Sequence, residues 1–218
     1  RPTRRTAVIV HGYTDNAVRM MMIGRMYGHD LGYNILLPDL RRAGQSDGSH
    51  IQMGWLDRLD VARWVSAVPR LFGDTATVGA ATTMMLSGDS QPQYVRAFVE
   101  DCGYTDVKAQ FTKEISERFH LPFFPLIPLA SALCRLRYGW SFDEASALKQ
   151  VSRCRLPMLF IHGSADTYVP TSMVNELYAA KPAPKALWVA PGSAHAMSYH
   201  DYPQEYTSHV AWFLRSLM

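Results

Sequence analysis

Apolar positions along the chain fall into short unbroken runs set between longer stretches of helical spacing. Ala7 to Val10, Ile35 to Leu37, Met158 to Ile161 and Ala186 to Val189 are such runs, and Tyr94 to Glu100 resembles them. A strand that is apolar at successive positions is covered on both faces, as in a parallel sheet. Strands are therefore expected at residues 6–10, 34–38, 94–100, 157–161 and 186–189. Helices are expected between them. Thr14, Asp15 and Asn16 are good caps for a helix running to Leu31. Trp55, Leu59, Ala62 and Val65 recur at helical spacing within residues 55–71. Further helices are expected at 80–87 (closed by Gly88), 170–180 and 202–217. Strands alternating with helices predict a doubly wound α/β domain with a mostly parallel sheet and helices on both faces.

Two stretches break this rhythm. Residues 107–149 are long, helical in patches and rich in aromatic residues and proline, which predicts a small helical cap inserted between two strands. The other stretch is too short. One helix ends near Gly73 and the next begins near Gly79, which leaves residues 74–78 for everything between. A buried strand alone takes about 5–6 residues.

Composition narrows the picture without naming a function. A chain of 218 residues with 48% hydrophobic and 19% charged residues is read as one domain, residues 1–218, with a sizeable core. Its 22 basic and 19 acidic residues leave a net charge of +3, too weak and scattered to argue for nucleic acid or an anionic membrane. Cys102, Cys134 and Cys154 are odd in number and lack metal-type spacing, so no disulfide framework is expected. No apolar run approaches the ~18 residues of a membrane span. The chain runs almost at once into a core strand, so N-terminal strands are expected upstream of Arg1. The compartment stays open between cytoplasmic and exported or anchored by such a segment.

In a sheet of this kind ligands bind beyond the carboxyl ends of the strands. Asp166 and His195 both stand just past such ends. An Asp and a His placed there suit a general base and the acid that orients it. Asp101 is a substitute acid beside Cys102, itself either a thiol nucleophile or a small buried hydrophobe. His11 and His162 each precede a glycine and are read as shaping their turns. Gly44-Gln45-Ser46-Asp47-Gly48 spells a nucleophile-elbow pattern, but an elbow needs strand, serine and helix in immediate succession. Ser46 stands eight positions after Pro38, and no helix is expected before Trp55. Thr77, in Thr77-Val78-Gly79, mimics the pattern on a truncated strand.

The ordered set His11-Gly12-Tyr13, Pro38-Asp39 with Gly44-Gln45-Ser46, Gly79-Ala80-Ala81-Thr82, His162 through Pro170, and Gly192-Ser193-Ala194-His195 resembles the α/β-hydrolases, in particular bacterial serine hydrolases grouped with S33-like peptidases and lysophospholipases. The resemblance spans nearly the whole chain. It implies Asp166 as triad acid, His195 as base and the backbone N–H of Tyr13 as one oxyanion donor. It also implies a strand followed by His-Gly-x-Ser-x immediately before Gly79. No such segment is present, and the expected break lies between Val78 and Gly79, short by roughly seven residues.

The implied function is a serine hydrolase cleaving a small ester or amide, with an apolar acyl or aromatic group, through an acyl-enzyme. It needs no metal or cofactor. An acyltransferase would use the same residues. Taken literally, the sequence instead implies an inert hydrolase-like scaffold that binds a ligand or partner. The aromatic and proline cluster at 119–138 either packs over the sheet or forms an acyl pocket.

Overall fold

The computed structural model describes residues 3–72, 75–79 and 81–217, with 75–79 and 81 described by backbone alone. Six parallel strands form one sheet in the order β2-β1-β3-β4-β5-β6: β1 (Arg5–Ile9), β2 (Asn34–Leu36), β3 (Thr75–Gly79), β4 (Val95–Asp101), β5 (Met158–Gly163) and β6 (Lys185–Ala190). Alternate strand residues feed two separate cores, as the two-residue period of a strand requires. Val8, Val10, Phe98, Met158 and Phe160 face one core. It is closed by α2 (Asp57–Leu71), α3 (Ala81–Ser87), α6 (Ala147–Arg153) and α7 (Thr171–Ala180). Ala7, Ile9, Val99, Leu159 and Ile161 face the other, which is covered by α1 (Met21–Arg25) with its flanking turns and by α8 (Pro203–Arg215).

The expected elements match in kind and shift by a few residues at their ends. The first helix begins where Asn16 accepts a hydrogen bond from the Arg19 N–H, then winds through a 3₁₀ turn, one α turn and a π turn to Asp30. In α2 the buried face is Val61, Val65 and Val68 rather than one running through Leu59, which is exposed. Spacing alone left two neighbouring faces open, and packing against the sheet selects one of them.

The short stretch is resolved as a strand. β3 pairs Thr77 with Ala7 on one side and Ala97 on the other, and Gly79 with Ile9 and Val99. The strand thus continues across the point where the sequence placed a break between Val78 and Gly79. The crowded junction lies one step later, because only Ala80 stands between the end of β3 and the start of α3. Gly73, Asp74 and Ala80, which framed the expected gap, lie outside the described residues, as does the side chain of Thr77.

Between β4 and β5 the chain forms α4 (Val107–Arg118) and α5 (Leu126–Tyr138) before α6. Asp106 caps α4 by accepting from the Ala109 N–H at 2.7 Å, and Ser146 caps α6 by accepting from Lys149. Asp106 and Ser146 also bridge each other, so the inserted segment leaves and rejoins the domain at one point. Ala147 and Val151 of α6 are buried in the sheet's core and α6 packs on α3 and α7. The cap therefore ends near Ser146, ahead of the Lys149 boundary read from the sequence.

Candidate active site

Because all six strands are parallel, the segments after β1, β4, β5 and β6 gather at one edge of the sheet. Two of them carry Asp166 and His195, and the structure brings these side chains together. Nδ1 of His195 lies 2.7 Å from Oδ2 of Asp166. Asp166 is buried, while His195 is partly exposed. The second carboxylate oxygen of Asp166 accepts from the Val169 N–H at 2.8 Å, which tightens its own loop. One oxygen of Asp166 thus closes its own loop and the other meets the histidine.

The loops are stapled to each other independently of this contact. Ala165 N–H donates to the Ser193 carbonyl at 3.0 Å, Ser164 N–H to the Ala190 carbonyl at 2.9 Å, and Gly192 N–H to the Ser164 hydroxyl at 2.7 Å. Gly163 permits this approach: a Cβ there would run into the backbone carbonyls of Ser193 and Ala194. Gly192 supplies a left-handed turn at φ 70° that residues with side chains rarely adopt.

His162, read from the sequence as a turn former, does more than that. Its buried ring donates from Nε2 to the Val169 carbonyl at 2.8 Å and lies 3.4 Å from Oδ2 of Asp166. Burial disfavours its charged form, yet the contacts with Asp166 and Val169 outweigh that and raise its pKa. For Asp166 the balance runs the other way. Burial would raise its pKa, but hydrogen bonds from His162, His195 and the Val169 N–H together hold it well below the usual carboxylate range. The site therefore contains a carboxylate that stays ionised beside a histidine.

His11 accepts from the Leu40 N–H on Nε2 and donates from Nδ1 to the Gly12 carbonyl, so both ring nitrogens serve the turn after β1. Tyr13 follows that turn and lines the cleft. Ser46 lies in the 39–48 loop, where its hydroxyl donates to the Asp39 carbonyl, and the next helix begins only at Asp57. Asp101 is half-buried as a residue, and the burial of its carboxyl lifts its pKa to about 6; it interacts with Cys102 and Tyr206, while the hydrogen bond of His195 goes to Asp166.

Cys102 is buried at the end of β4 with φ 50°. Burial, and then the charges of Asp101, Glu100 and Asp166, push its thiol well above the ordinary value. A thiol kept neutral is a poor nucleophile. Among the described residues, Cys102, Asp166 and His195 form a group whose ligand atoms lie within 4.8 Å of one another, close enough to share an ion. Within that group the Nδ1 contact already links histidine to carboxylate.

A cleft of about 640 Å³ opens over these residues. Tyr13, Tyr104, Phe111, Tyr168, His195 and Tyr199 line it, and it reaches down to β1 and β4. Tyr168 sets its ring edgewise on His195 at 4.9 Å between centroids. The sequence named Tyr168 only as part of a motif; its neighbour Asp166 was the one signal that pointed to it.

No protein-family model matches the chain. The uncharacterized Bacillus subtilis (strain 168) protein YqkD is 32% identical over 222 residues, spanning 99% of this chain and 72% of YqkD. That aligned span exceeds the 218 residues present here, so YqkD carries residues where this chain has none. The Pyrococcus furiosus esterase Pf2001 superposes with a TM-score of 0.78 at 21% identity, over 99% of this chain and 84% of that one. The α/β hydrolase GrgF from Penicillium sp. sh18 superposes with a TM-score of 0.71 at 14% identity, over 98% of this chain and 91% of that one. At these identities the two structures speak for the fold.

Proposed function

The chain belongs to the α/β-hydrolase superfamily as a relative of YqkD, and from that premise we propose that it is the framework of a serine hydrolase acting on carboxylic esters, in which Asp166 and His195 are the acid and the base. The observation that carries the proposal is the 2.7 Å contact between His195 Nδ1 and Asp166 at the cleft, at the sheet edge where β3 ends. With Nδ1 committed to the carboxylate, Nε2 is the nitrogen that takes the proton from an attacking hydroxyl and returns it to the leaving alcohol. Asp166 fixes the tautomer and stabilises the imidazolium, and water then repeats the cycle on the acyl-enzyme. The Tyr13 N–H donates to the developing oxyanion, a contribution of about 2.7–4 kcal/mol to the barrier for such donors.

The serine belongs to a segment of about seven residues joining β3 to α3 that this chain lacks. One observation supports that assignment: a single residue stands between the end of β3 at Gly79 and the start of α3 at Ala81. The aromatic lining of the cleft suits an ester with an apolar acyl or aromatic group. The same one-residue junction favours a second reading, in which the chain as it stands is an inert scaffold that binds such a ligand without cleaving it.

Inserting a glycine-flanked Gly-x-Ser-x-Gly elbow between Gly79 and Ala81 tests the proposal. The expected result is hydrolysis of a p-nitrophenyl ester and a serine adduct with a fluorophosphonate probe, both absent from the 218-residue chain. A folded insertion variant that gives neither would leave the inert scaffold as the function.

A further inference from the structure

The cap turns its apolar side outward. Helix α5 buries Ile127, Ser131 and Cys134 and leaves Leu129, Leu133 and Leu136 exposed at 63%, 61% and 85%. These leucines recur at four and three residues and so share one face. The loop leading into α5 exposes Phe119, Phe123 and Phe124 at 60%, 56% and 67%. A surface helix ordinarily does the reverse, with its apolar stripe toward the core. Large exposed apolar surface of this kind marks a site of interaction.

Within the segment that forms this face the formal charge is of one sign, with the exposed carboxylates Glu117 and Asp143 standing immediately outside it. From Arg118 to Phe142 the sequence contains no aspartate or glutamate, but it contains Arg118, Arg135, Arg137 and His120. Arg135 and Arg137 are exposed on the last turn of α5. Glu144, the carboxylate influenced by Arg135, is taken up by the hydroxyl and N–H of Ser141. The face also begins where the cleft opens, since Phe111, Glu114 and Arg118 of α4 line the cleft.

We propose that this cap face docks on an anionic lipid bilayer. Phenylalanines and leucines on one side and arginines at the flank are what an interfacial helix needs to sink its apolar face among acyl chains while its cations meet acidic headgroups. A second copy of the chain fits less well, because bringing two such faces together adds positive charge to positive charge at the contact. Docking would hold the cleft mouth at the lipid surface, and it does not depend on whether a serine is present at β3.

Co-sedimentation of the 218-residue chain with vesicles of phosphatidylcholine, with and without phosphatidylglycerol, tests this. Binding to the anionic vesicles at least about tenfold tighter than to the neutral ones, weakening as salt is added, is expected. The double substitution Leu129→Glu and Leu133→Glu should reduce binding at least about tenfold while near-UV circular dichroism stays native, as both positions are exposed. Arg135→Glu with Arg137→Glu should remove the preference for anionic vesicles. Three results would overturn the proposal: no binding to either vesicle, equal binding to both, or a dimer that Leu133→Glu dissociates in a chain that ignores vesicles.

Discussion

The loops after β5 and β6 and the junction between β3 and α3 lie at the same edge of one sheet, yet they are held in different ways. Asp166 is gripped by His162, His195 and the Val169 N–H, and its loop is tied to the His195 loop by backbone bonds from Ser164 and Ala165. None of these partners comes from β3 or α3. The junction, by contrast, passes from the centre of the sheet into a helix across one residue. Asp166 and His195 are thus held together by contacts from their own two loops. The same loops would hold this Asp–His geometry in an active and in an inert chain, so the short contact by itself does not distinguish the two.

The sharpest way to use that difference is His195→Ala made in two backgrounds. In the chain carrying the inserted elbow, kcat/KM for a p-nitrophenyl ester should fall by about 10³–10⁴ or more, the scale on which a base of this type contributes. In the unmodified chain the same substitution should change no turnover. Steady-state assays on both backgrounds check it, and an insertion variant indifferent to His195 would detach the pair from catalysis.

Gly163→Ala attacks the fixed side of the comparison. The added methyl meets the carbonyls of Ser193 and Ala194, which are backbone and cannot swing aside. A loss of about 2–4 kcal/mol in urea unfolding is expected, as for overpacking at a buried site. Full stability in this variant would mean that the two loops are not held as tightly as their bonds imply.

The fixed side was also the legible side. Asp166 and His195 could be found because parallel strands place the residues after them at one edge, so strand ends alone identify neighbours that are 29 positions apart. Cap existence was legible from broken rhythm and proline content, but its end was not, since α6 looks like cap in sequence and joins the core only because Ala147 and Val151 meet α3 and α7. The end of the third strand was read one residue short for a similar reason. Gly79 reads as the start of a helix, and only its pairing with Ile9 and Val99 makes it the end of a strand. The bond from His162 to the Asp166 side of the site was not visible either, because a histidine before a glycine has an adequate local explanation.

Glu100→Gln separates the ionised acid of the site from its neutral neighbours. Glu100 is fully buried, and burial raises its pKa to about 8 against an ordinary value near 4.5. The folded state therefore holds a proton that the unfolded chain releases between those values, and this carboxyl costs stability as pH rises through that window. Asp166 has the opposite sign: its depressed pKa gives stability that is present above its ordinary value and is lost as pH falls below it. Replacing Glu100 with neutral glutamine, which keeps an acceptor for the Gly103 N–H, should make stability less steeply dependent on pH, with a gain of up to about 3 kcal/mol at pH 8 relative to pH 5. Urea unfolding at the two pH values measures it, and parallel pH profiles for variant and parent would show that Glu100 titrates as an ordinary carboxylate.

Ser164→Ala should have the smallest effect and tests whether the staple between loops is redundant. The Ser164 hydroxyl accepts from the Gly192 N–H at 2.7 Å on an exposed stretch, so water can replace it and about 0.5–1 kcal/mol is the expected loss. Backbone bonds from Ser164 and Ala165 remain, and Gly163 keeps its close contact with Ser193. Activity of the insertion variant should therefore persist within about threefold when Ser164→Ala is added, the activity change that a barrier shift of about 0.7 kcal/mol would produce. A much larger loss of activity at near-native stability would mean that the hydroxyl sets the position of His195 itself, and that the base is held by one bond where the geometry shows several.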